Sequence, residues 1–170
     1  MAGLELECDG YGCVPSYFMF VGISAGQRGA LISKVPLTKD ASGRIFQRCL
    51  KVLDLSESDE YSVSPKLKCY VTNLVKSRIL TKEGKNRLPT QREMIDWLPY
   101  FEKEVEKVQP KKIVALGSLV AEFLRRNGFR HLVIEVKHPR WYQAHGALSL
   151  GSSAFEDMVR DYKQILGIKI

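Results

Sequence analysis

Short apolar runs and longer segments with helical spacing alternate along this chain of 170 residues. The short runs lie at residues 17–21, 68–73, 111–117 and 131–136. The first run, YFMFV, contains no polar position, which is typical of a strand buried on both faces of a parallel sheet. We therefore predict four strands, the first of which lies at the centre of the fold.

The segments between these runs carry apolar residues every three or four positions, which predicts helices. Such spacing covers residues 45–53, 94–105 and 155–165. The predicted helix starts are marked by capping residues, namely Ser42, Thr90 with Glu93, Ser118, and Ser153 with Glu156. Pro99 lies inside the second of these segments, so we expect a kink or a break near Trp97.

The alternation of strands and helices predicts an α/β fold, specifically a three-layer α/β/α sandwich with a central four-stranded parallel sheet. No repeat or long linker divides the sequence, so we expect one domain over residues 1–170. Parallel strands end at the same edge of a sheet, and ligands of such folds bind there. The loops that meet at this edge hold residues 24–29, 73–76, 117 and 138–142.

The glycine-rich stretch after the first strand is the most conspicuous of these loops. Taken alone, it is equally consistent with a tight turn and with a ligand site, because it matches neither GxGxxG nor a P-loop. Its backbone N–H groups would face a ligand at the sheet edge. The sequences of the other loops are therefore needed to choose between the two interpretations.

The net charge of +7 is concentrated in two basic groups. The first group contains Lys76, Arg78, Lys82, Lys85, Arg87 and Arg92, and the second contains Arg125, Arg126, Arg130, Lys137 and Arg140. Clustering of this kind favours a nucleic-acid phosphate backbone as partner, and the alternative is a solvated basic face.

Other classes are disfavoured by what the sequence lacks. No apolar run approaches the roughly 20 residues that cross a bilayer, and the N-terminus does not resemble a secretion signal. We therefore expect a cytoplasmic monomer without a membrane partner.

The four cysteines form no CxxC zinc pattern. Cys49 and Cys69 fit apolar positions, while Cys8 and Cys13 are the pair able to bind a metal or close a loop.

Four motifs, each following a predicted strand or opening the next helix, together resemble the uracil-DNA glycosylase superfamily over most of the chain. They are VGISAG at 21–26, VPLTKDASG at 35–43, YVTNLVK at 70–76 followed by NRLPT at 86–90, and KHPR at 137–140. The resemblance implies a monofunctional DNA glycosylase that removes a deaminated base, foremost uracil, after the base has rotated out of DNA. Such an enzyme uses water and no cofactor.

The resemblance also implies a role for individual residues. His138 would stabilise the departing base anion, Ser24 would handle the attacking water, and Asn73 would read the base edge. The base site would be completed by Gly22, Ile23 and Leu37. The residues expected to contact DNA are Arg140, Trp141, Tyr142, Lys76 and Arg87, with Tyr142 as the wedge that fills the gap and Trp141 beside it.

Each role has a structural alternative. The alternatives are that His138 only caps a strand end, that Asn73 only forms a turn, and that the aromatic pair packs under the last helix.

Ser24 stands where relatives carry aspartate or asparagine, Ile23 where the iron–sulfur branch carries glutamate, and Leu37 where a phenylalanine would stack. A serine can orient water but is a poor general base, and Asp40 is the next candidate for that task. That branch also places cluster cysteines where this chain has Ser77 and Trp97, so we predict no metal.

Two rival functions follow from the same features. Ser24 favours a glycosylase-like module that binds damaged or single-stranded DNA without cleaving it. A small-molecule nucleoside hydrolase is the second rival, which the basic loops and the aromatic pair disfavour.

Overall fold

Five strands form the centre of the protein, which is described here from a computed structural model covering residues 4–147 and 151–169. The strands are β1 (Tyr11–Gly12), β2 (Phe18–Ser24), β3 (Tyr70–Val75), β4 (Lys112–Leu116) and β5 (Val133–Val136). They lie in the order β1-β3-β2-β4-β5. The helices are α1 (Ala30–Ser33), α2 (Ala41–Val52), α3 (Gln91–Val108), α4 (Ser118–Leu124), α5 (Pro139–Ala144) and α6 (Ser153–Leu166). A kinked turn at Arg125–Phe129 follows α4, and Asn127 and Gly128 depart there from helical backbone geometry.

The four predicted strands are present and pair in parallel, which confirms the α/β class. The prediction of a purely parallel four-stranded sheet is wrong, because β1 pairs antiparallel with β3. A two-residue strand is too short to leave a hydrophobic pattern. Its Gly12 has a φ of +132°, and a Cβ there would lie 2.2 Å from the carbonyl oxygen of Cys69. Glycine at this position therefore lets the edge strand approach β3.

Strand β2 is buried on both faces, as the unbroken apolar run predicts. Phe18 and Phe20 belong to an apolar cluster that includes residues of α2, α5 and α6. Met19 and Val21 point to the opposite face and join a cluster that includes residues of α3 and α4. Helices thus cover both faces of the sheet, and the loops at its carboxyl edge remain outside the core.

The predicted helix starts agree with the structure at one helix and differ by one or two positions at three others. Thr90 and Glu93 form the predicted capping box at the start of α3, and the helix then runs through Pro99 to Val108 as one element. The predicted caps Ser42, Ser118 and Ser153 are wrong by one or two positions, because the N-caps are Asp40, Gly117 and Ser152. None of the described helices has the length and apolar character needed to cross a membrane.

Candidate active site

A cleft of about 580 Å³ lies at the carboxyl edge of the parallel strands, where the sequence predicts a ligand site. It is enclosed by the turn after β2, the end of β3, the start of α2, the basic loop before α3 and the start of α5. Among the predicted site residues, those that line it are Ile23, Ser24, Leu37, Asn73, Arg87, His138 and Arg140. Four others, Gly22, Lys76, Trp141 and Tyr142, do not.

His138 is the N-cap of α5, and its Nδ1 accepts a hydrogen bond from the backbone N–H of Arg140 at 3.0 Å. A backbone N–H can only donate, so Nδ1 carries no proton and the neutral ring carries its proton on Nε2. Burial, and then the nearby charge of Arg140, lower the pKa of His138 from 6.5 to about 4. His138 is therefore a neutral imidazole at pH 7 with one N–H donor available to a ligand.

Asn73 is a buried residue of β3 that reaches the same cleft. No side chain or backbone group of the described residues forms a hydrogen bond with its carboxamide, so both a donor and an acceptor remain available. Gly22 lies directly opposite Asn73 in the β2–β3 register. A Cβ on Gly22 would lie 2.5 Å from Asn73 Oδ1. Gly22 therefore makes room for the asparagine instead of lining the base site, which corrects its predicted role.

Ser24, Ile23 and Leu37 line the cleft at the positions that the sequence predicts for them. Ser24 is the last residue of β2, and Ile23 precedes it with a partly buried side chain. Leu37 has a φ of +54°, an uncommon backbone conformation for a non-glycine residue. It also packs against the core cluster below α2. These three residues provide one hydroxyl and two apolar surfaces.

Lys76 does not contact DNA, contrary to the prediction, because its side chain is 0% exposed. Its Nζ donates to the Glu104 carboxylate at 2.6 Å and also to the Thr72 hydroxyl and the backbone carbonyl of Asn73. Glu104 in turn accepts hydrogen bonds from Tyr70 and Thr72 at 2.9 and 2.8 Å. Burial lowers the pKa of Lys76, while Glu104 opposes that shift. This buried network joins β3 to α3 beneath Asn73.

Of the two adjacent aromatic residues of α5, Tyr142 is buried in the core and Trp141 is exposed at the surface. Tyr142 is 1% exposed, and its hydroxyl donates to Asp161 of α6 at 2.7 Å. It therefore cannot enter a DNA duplex from this position, and the prediction of Tyr142 as the wedge is wrong. Trp141 is 43% exposed, stacks on His145 at a centroid distance of 3.9 Å, and has Lys137 Nζ 3.8 Å from its ring centroid. The exposed aromatic surface belongs to Trp141.

The two predicted arginines differ in their partners. Arg87 forms a bidentate ion pair with Glu93, with N–O distances of 2.9 and 2.7 Å. This contact lowers the pKa of Glu93 to about 2 and holds the basic loop against the start of α3. Arg140 is exposed and forms no ion pair with the described residues. Its guanidinium group remains available to an anionic ligand.

Sequence reasoning underrated one residue of the cleft and missed two. Asp40, which it named only as a fallback, lines the cleft as the N-cap of α2. Asn86 and Gln143 also line it, and Gln143 Oε1 accepts a hydrogen bond from Ser42 at 2.7 Å across the rim. Asn86 stood in a quoted motif, whereas no local pattern marks Gln143 as a site residue.

The positions of the cysteines do not match the ligand positions of an iron–sulfur cluster, which is carried by the branch that the sequence resembles. Cys8 is buried and Cys13 is exposed, while Cys49 and Cys69 pack in the apolar core. Trp97, at one of the expected ligand positions, is also buried in the core. Within residues 4–147 and 151–169, no group of three or more histidine, cysteine, aspartate or glutamate side chains is placed to hold a metal ion.

Comparison with known proteins gives two findings that agree with this geometry. The family model described as the uracil DNA glycosylase superfamily matches residues 10–163. A curated protein of Pyrobaculum aerophilum, described as a type-5 uracil-DNA glycosylase, is 32% identical over 114 residues. The aligned part is 64% of this chain and 48% of that protein, so the chain spans about half the length of the relative it matches.

Proposed function

Because the chain belongs to the uracil-DNA glycosylase superfamily, we propose that it hydrolyses the N-glycosidic bond of uracil rotated out of DNA, as in base-excision repair. The observation that carries this proposal is the pairing of two ligand-directed groups in one cleft. The neutral Nε2–H of His138 and the free carboxamide of Asn73 both belong to it. One group suits a departing base oxygen and the other suits the edge of the base.

The reaction requires stabilisation of two charges that develop as the bond opens. Positive charge develops on the sugar, and the base departs as an anion whose charge is spread over its oxygens. A preorganised donor at a base oxygen stabilises that anion without itself being protonated. His138 meets this requirement because burial keeps the ring neutral and the Arg140 N–H fixes its tautomer.

Base recognition falls to Asn73 in this proposal. Its carboxamide offers a donor and an acceptor, which match the O4 and N3–H groups of uracil. Cytosine presents an amino group and an unprotonated N3 at the same edge, so it is mismatched with the carboxamide orientation that pairs with uracil. Ile23 and Leu37 provide the apolar walls of the cleft.

DNA is held outside the cleft by surface groups. Trp141 and Arg140 are adjacent and exposed at the start of α5. An aromatic wedge can fill the gap left by a rotated base, and an unpaired guanidinium group can contact a flanking phosphate. We therefore assign the wedge to Trp141 and a phosphate contact to Arg140. The protein is proposed to act as a monomer and without a cofactor.

The rival function is a DNA-binding module without catalysis, and Ser24 is the residue that favours it. A serine hydroxyl can orient water but adds no charge at the sugar. A nucleoside hydrolase is less well supported, because a lone nucleoside needs neither the exposed Trp141 nor the basic loops.

The test uses end-labelled oligonucleotides that carry uracil, hypoxanthine, xanthine or no lesion. After incubation with the purified protein, alkali cleaves any abasic site. We expect strand cleavage at uracil and none in the unmodified strand. Stable binding to the uracil strand without alkali-sensitive product would support the binding module and reject the glycosylase.

A further inference from the structure

Lys76 and Glu104 form a buried ion pair that has no part in the reaction as described so far. Their side chains are 0% and 3% exposed. The three N–H donors of the lysine ammonium group match three acceptors, which are Glu104 Oε2, the Thr72 hydroxyl and the backbone carbonyl of Asn73. Tyr70 and Thr72 donate to the other carboxylate oxygen. Every polar atom of the pair is therefore bonded, as a buried charge requires.

Lys76 also supplies a hydrogen bond to the backbone of β3 beyond the reach of the neighbouring edge strand. β1 pairs with β3 at Tyr70 and Val71, whereas the carbonyl that accepts from Lys76 Nζ belongs to Asn73. The Asn73 carboxamide has no hydrogen-bond partner among the described residues, and its Oδ1 fills the space that a Cβ on Gly22 would take. The position of the carboxamide in the cleft therefore depends on the backbone of Asn73.

The segment before β1 covers the ion pair. Backbone N–H groups of Glu7 and Cys8 donate to the Lys76 carbonyl at 3.0 and 2.9 Å. A Cβ on Gly10 would lie 2.2 Å from Glu104 Oε1, so a larger residue there would displace the carboxylate. The pair is thus closed off from solvent, and its bonds are stronger there than they would be at the surface.

We propose, resting on the glycosylase function above, that Lys76 and Glu104 are positioning residues for Asn73. Neither residue lines the cleft, so neither contacts the base or the sugar. The pair holds the backbone of Asn73 where the carboxamide meets the O4 and N3–H groups of uracil. Without the pair Asn73 moves, and excision slows because the base is no longer held in register with the His138 donor.

The competing explanation is that the pair only stabilises the fold. Stability alone is a weak reason for a buried ion pair, because apolar side chains of similar volume often serve as well or better. Removal of one partner would leave a buried charge uncompensated and destabilise the fold by itself. The test therefore uses the uncharged double variant, which combines Lys76→Met with Glu104→Gln. It keeps an amide oxygen as acceptor for Tyr70 and Thr72, and it removes the donor to the Asn73 carbonyl.

The matched control is a second double variant, Arg48→Met with Glu60→Gln. It removes another ion pair, whose side chains are 15% and 14% exposed. Neither of these two residues lines the cleft. Each double variant loses one cation and one anion, so both keep the net charge of +7 with which the protein meets DNA. Urea unfolding establishes that both variants are folded.

NMR observes the mobility of Asn73 directly. The sequence contains three asparagines, Asn73, Asn86 and Asn127, so labelling with ¹⁵N-asparagine gives three side-chain amide groups. Asn127 is the internal reference, because its Nδ2 donates to the Phe123 carbonyl at 2.7 Å in the turn after α4. We expect the heteronuclear ¹H–¹⁵N NOE of the Asn73 side chain to fall in the uncharged double variant, since the residue becomes more mobile, and that of Asn127 to stay unchanged.

Excision is measured in parallel, as single-turnover release of uracil from a single-stranded oligonucleotide. We expect the uncharged double variant to be slower by about 10–10²-fold, because displacement of a positioning group by about 1 Å can cost 10²-fold. Its affinity for an oligonucleotide with an abasic-site mimic should be unchanged, because no base is present for Asn73 to contact. The control variant should match the unaltered protein in all three measurements.

The outcomes separate the two proposals. A folded uncharged double variant with the rate or the Asn73 NOE of the unaltered protein would overturn the positioning role and leave the glycosylase function standing. An equal loss of excision and of abasic-site affinity would also overturn it, because the pair would then be structural. No excision by the unaltered protein would overturn both proposals.

A single substitution serves if the uncharged double variant unfolds. Glu104→Gln keeps Lys76 and removes its counter-charge, so it weakens the hold on Asn73 with a smaller change to the core. A folded Glu104→Gln with the rate and the Asn73 NOE of the unaltered protein would overturn the positioning role in the same way.

Discussion

At the residue scale, the proposed chemistry depends on an imidazole whose two nitrogen atoms have different tasks. Nδ1 of His138 caps α5 by accepting from Arg140, and Nε2–H remains for a ligand. The sequence predicted a neutral donor at this position from the HPR motif. It could not predict the tautomer, because that depends on a backbone N–H brought into place by the turn of α5.

His138→Ala is expected to slow uracil excision by about 10²–10³-fold, because the departing anion loses one preorganised donor. Binding to a duplex that carries an abasic-site mimic should change far less. His138→Asn is the matched variant, since asparagine also caps a helix. Single-turnover kinetics and binding assays provide the two measurements. An equal loss of excision and binding would mean that His138 is structural.

His138 also predicts a pH dependence of stability. Its pKa is about 4 in the folded protein and near 6.5 when unperturbed. Between these values the unfolded chain binds a proton that the folded protein does not, so stability falls as pH falls from 6.5 to 4. The slope for one proton is at most about 1.4 kcal/mol per pH unit. Urea unfolding across this range should show a shallower slope for His138→Asn, and parallel slopes would contradict the assignment.

At the scale of elements, the sequence predicted which segments are strands and helices better than it predicted their ends. Apolar runs and helical spacing are repeated signals, so β2 and α3 could be placed from the sequence. A cap depends on one side chain among adjacent candidates. Asp40 and Ser42 are both good caps by type, and only the fold decides which carboxylate or hydroxyl meets a free N–H.

Helix α5 shows the same limit at the site itself. Six residues make fewer than two turns, so periodicity cannot decide which of two adjacent aromatic residues faces the core. The ring of Tyr142 packs in the core cluster that includes residues of α2 and α6, and its hydroxyl donates to Asp161, 19 positions away. The pairing that buries one ring and exposes the other is therefore a tertiary effect.

Substitutions of Trp141 and Tyr142 should have opposite effects: the first should affect excision and the second should affect stability. Trp141→Ala should lower the unfolding free energy by about 1 kcal/mol or less, since the side chain lies at the surface and loses only its contacts with its neighbours, such as Lys137 and His145. It should slow excision from duplex DNA by roughly tenfold, equivalent to about 1.4 kcal/mol, and affect single-stranded DNA less. Tyr142→Ala should cost about 3–5 kcal/mol of stability through the cavity it leaves.

Urea unfolding and single-turnover assays on paired duplex and single-stranded substrates separate these effects. The wedge assignment fails if Trp141→Ala slows excision equally on both substrates, because a wedge matters only where a partner strand remains.

At the scale of the whole molecule, the convergence of loops at one sheet edge was the feature that sequence reasoning predicted best. It follows from parallel strands alone, and the cleft does lie there. The residue that each buried side chain contacts in the folded protein could not be predicted in this way. Lys76 belongs to a basic run in sequence, yet it is buried against Glu104, 28 residues along the chain. The basic run therefore overstates the number of cationic side chains that DNA can meet, although the net charge of +7 is unaffected because Lys76 and Glu104 cancel.

The most direct test of the central claim is to measure free uracil. The purified protein is incubated with a uracil-containing oligonucleotide in the presence of a metal chelator, and the released base and the abasic strand are both quantified by mass spectrometry. Hydrolysis by the cleft residues predicts one free uracil for each abasic site, with release strongly slowed in His138→Ala. A protein that binds the oligonucleotide but releases no uracil would contradict this account.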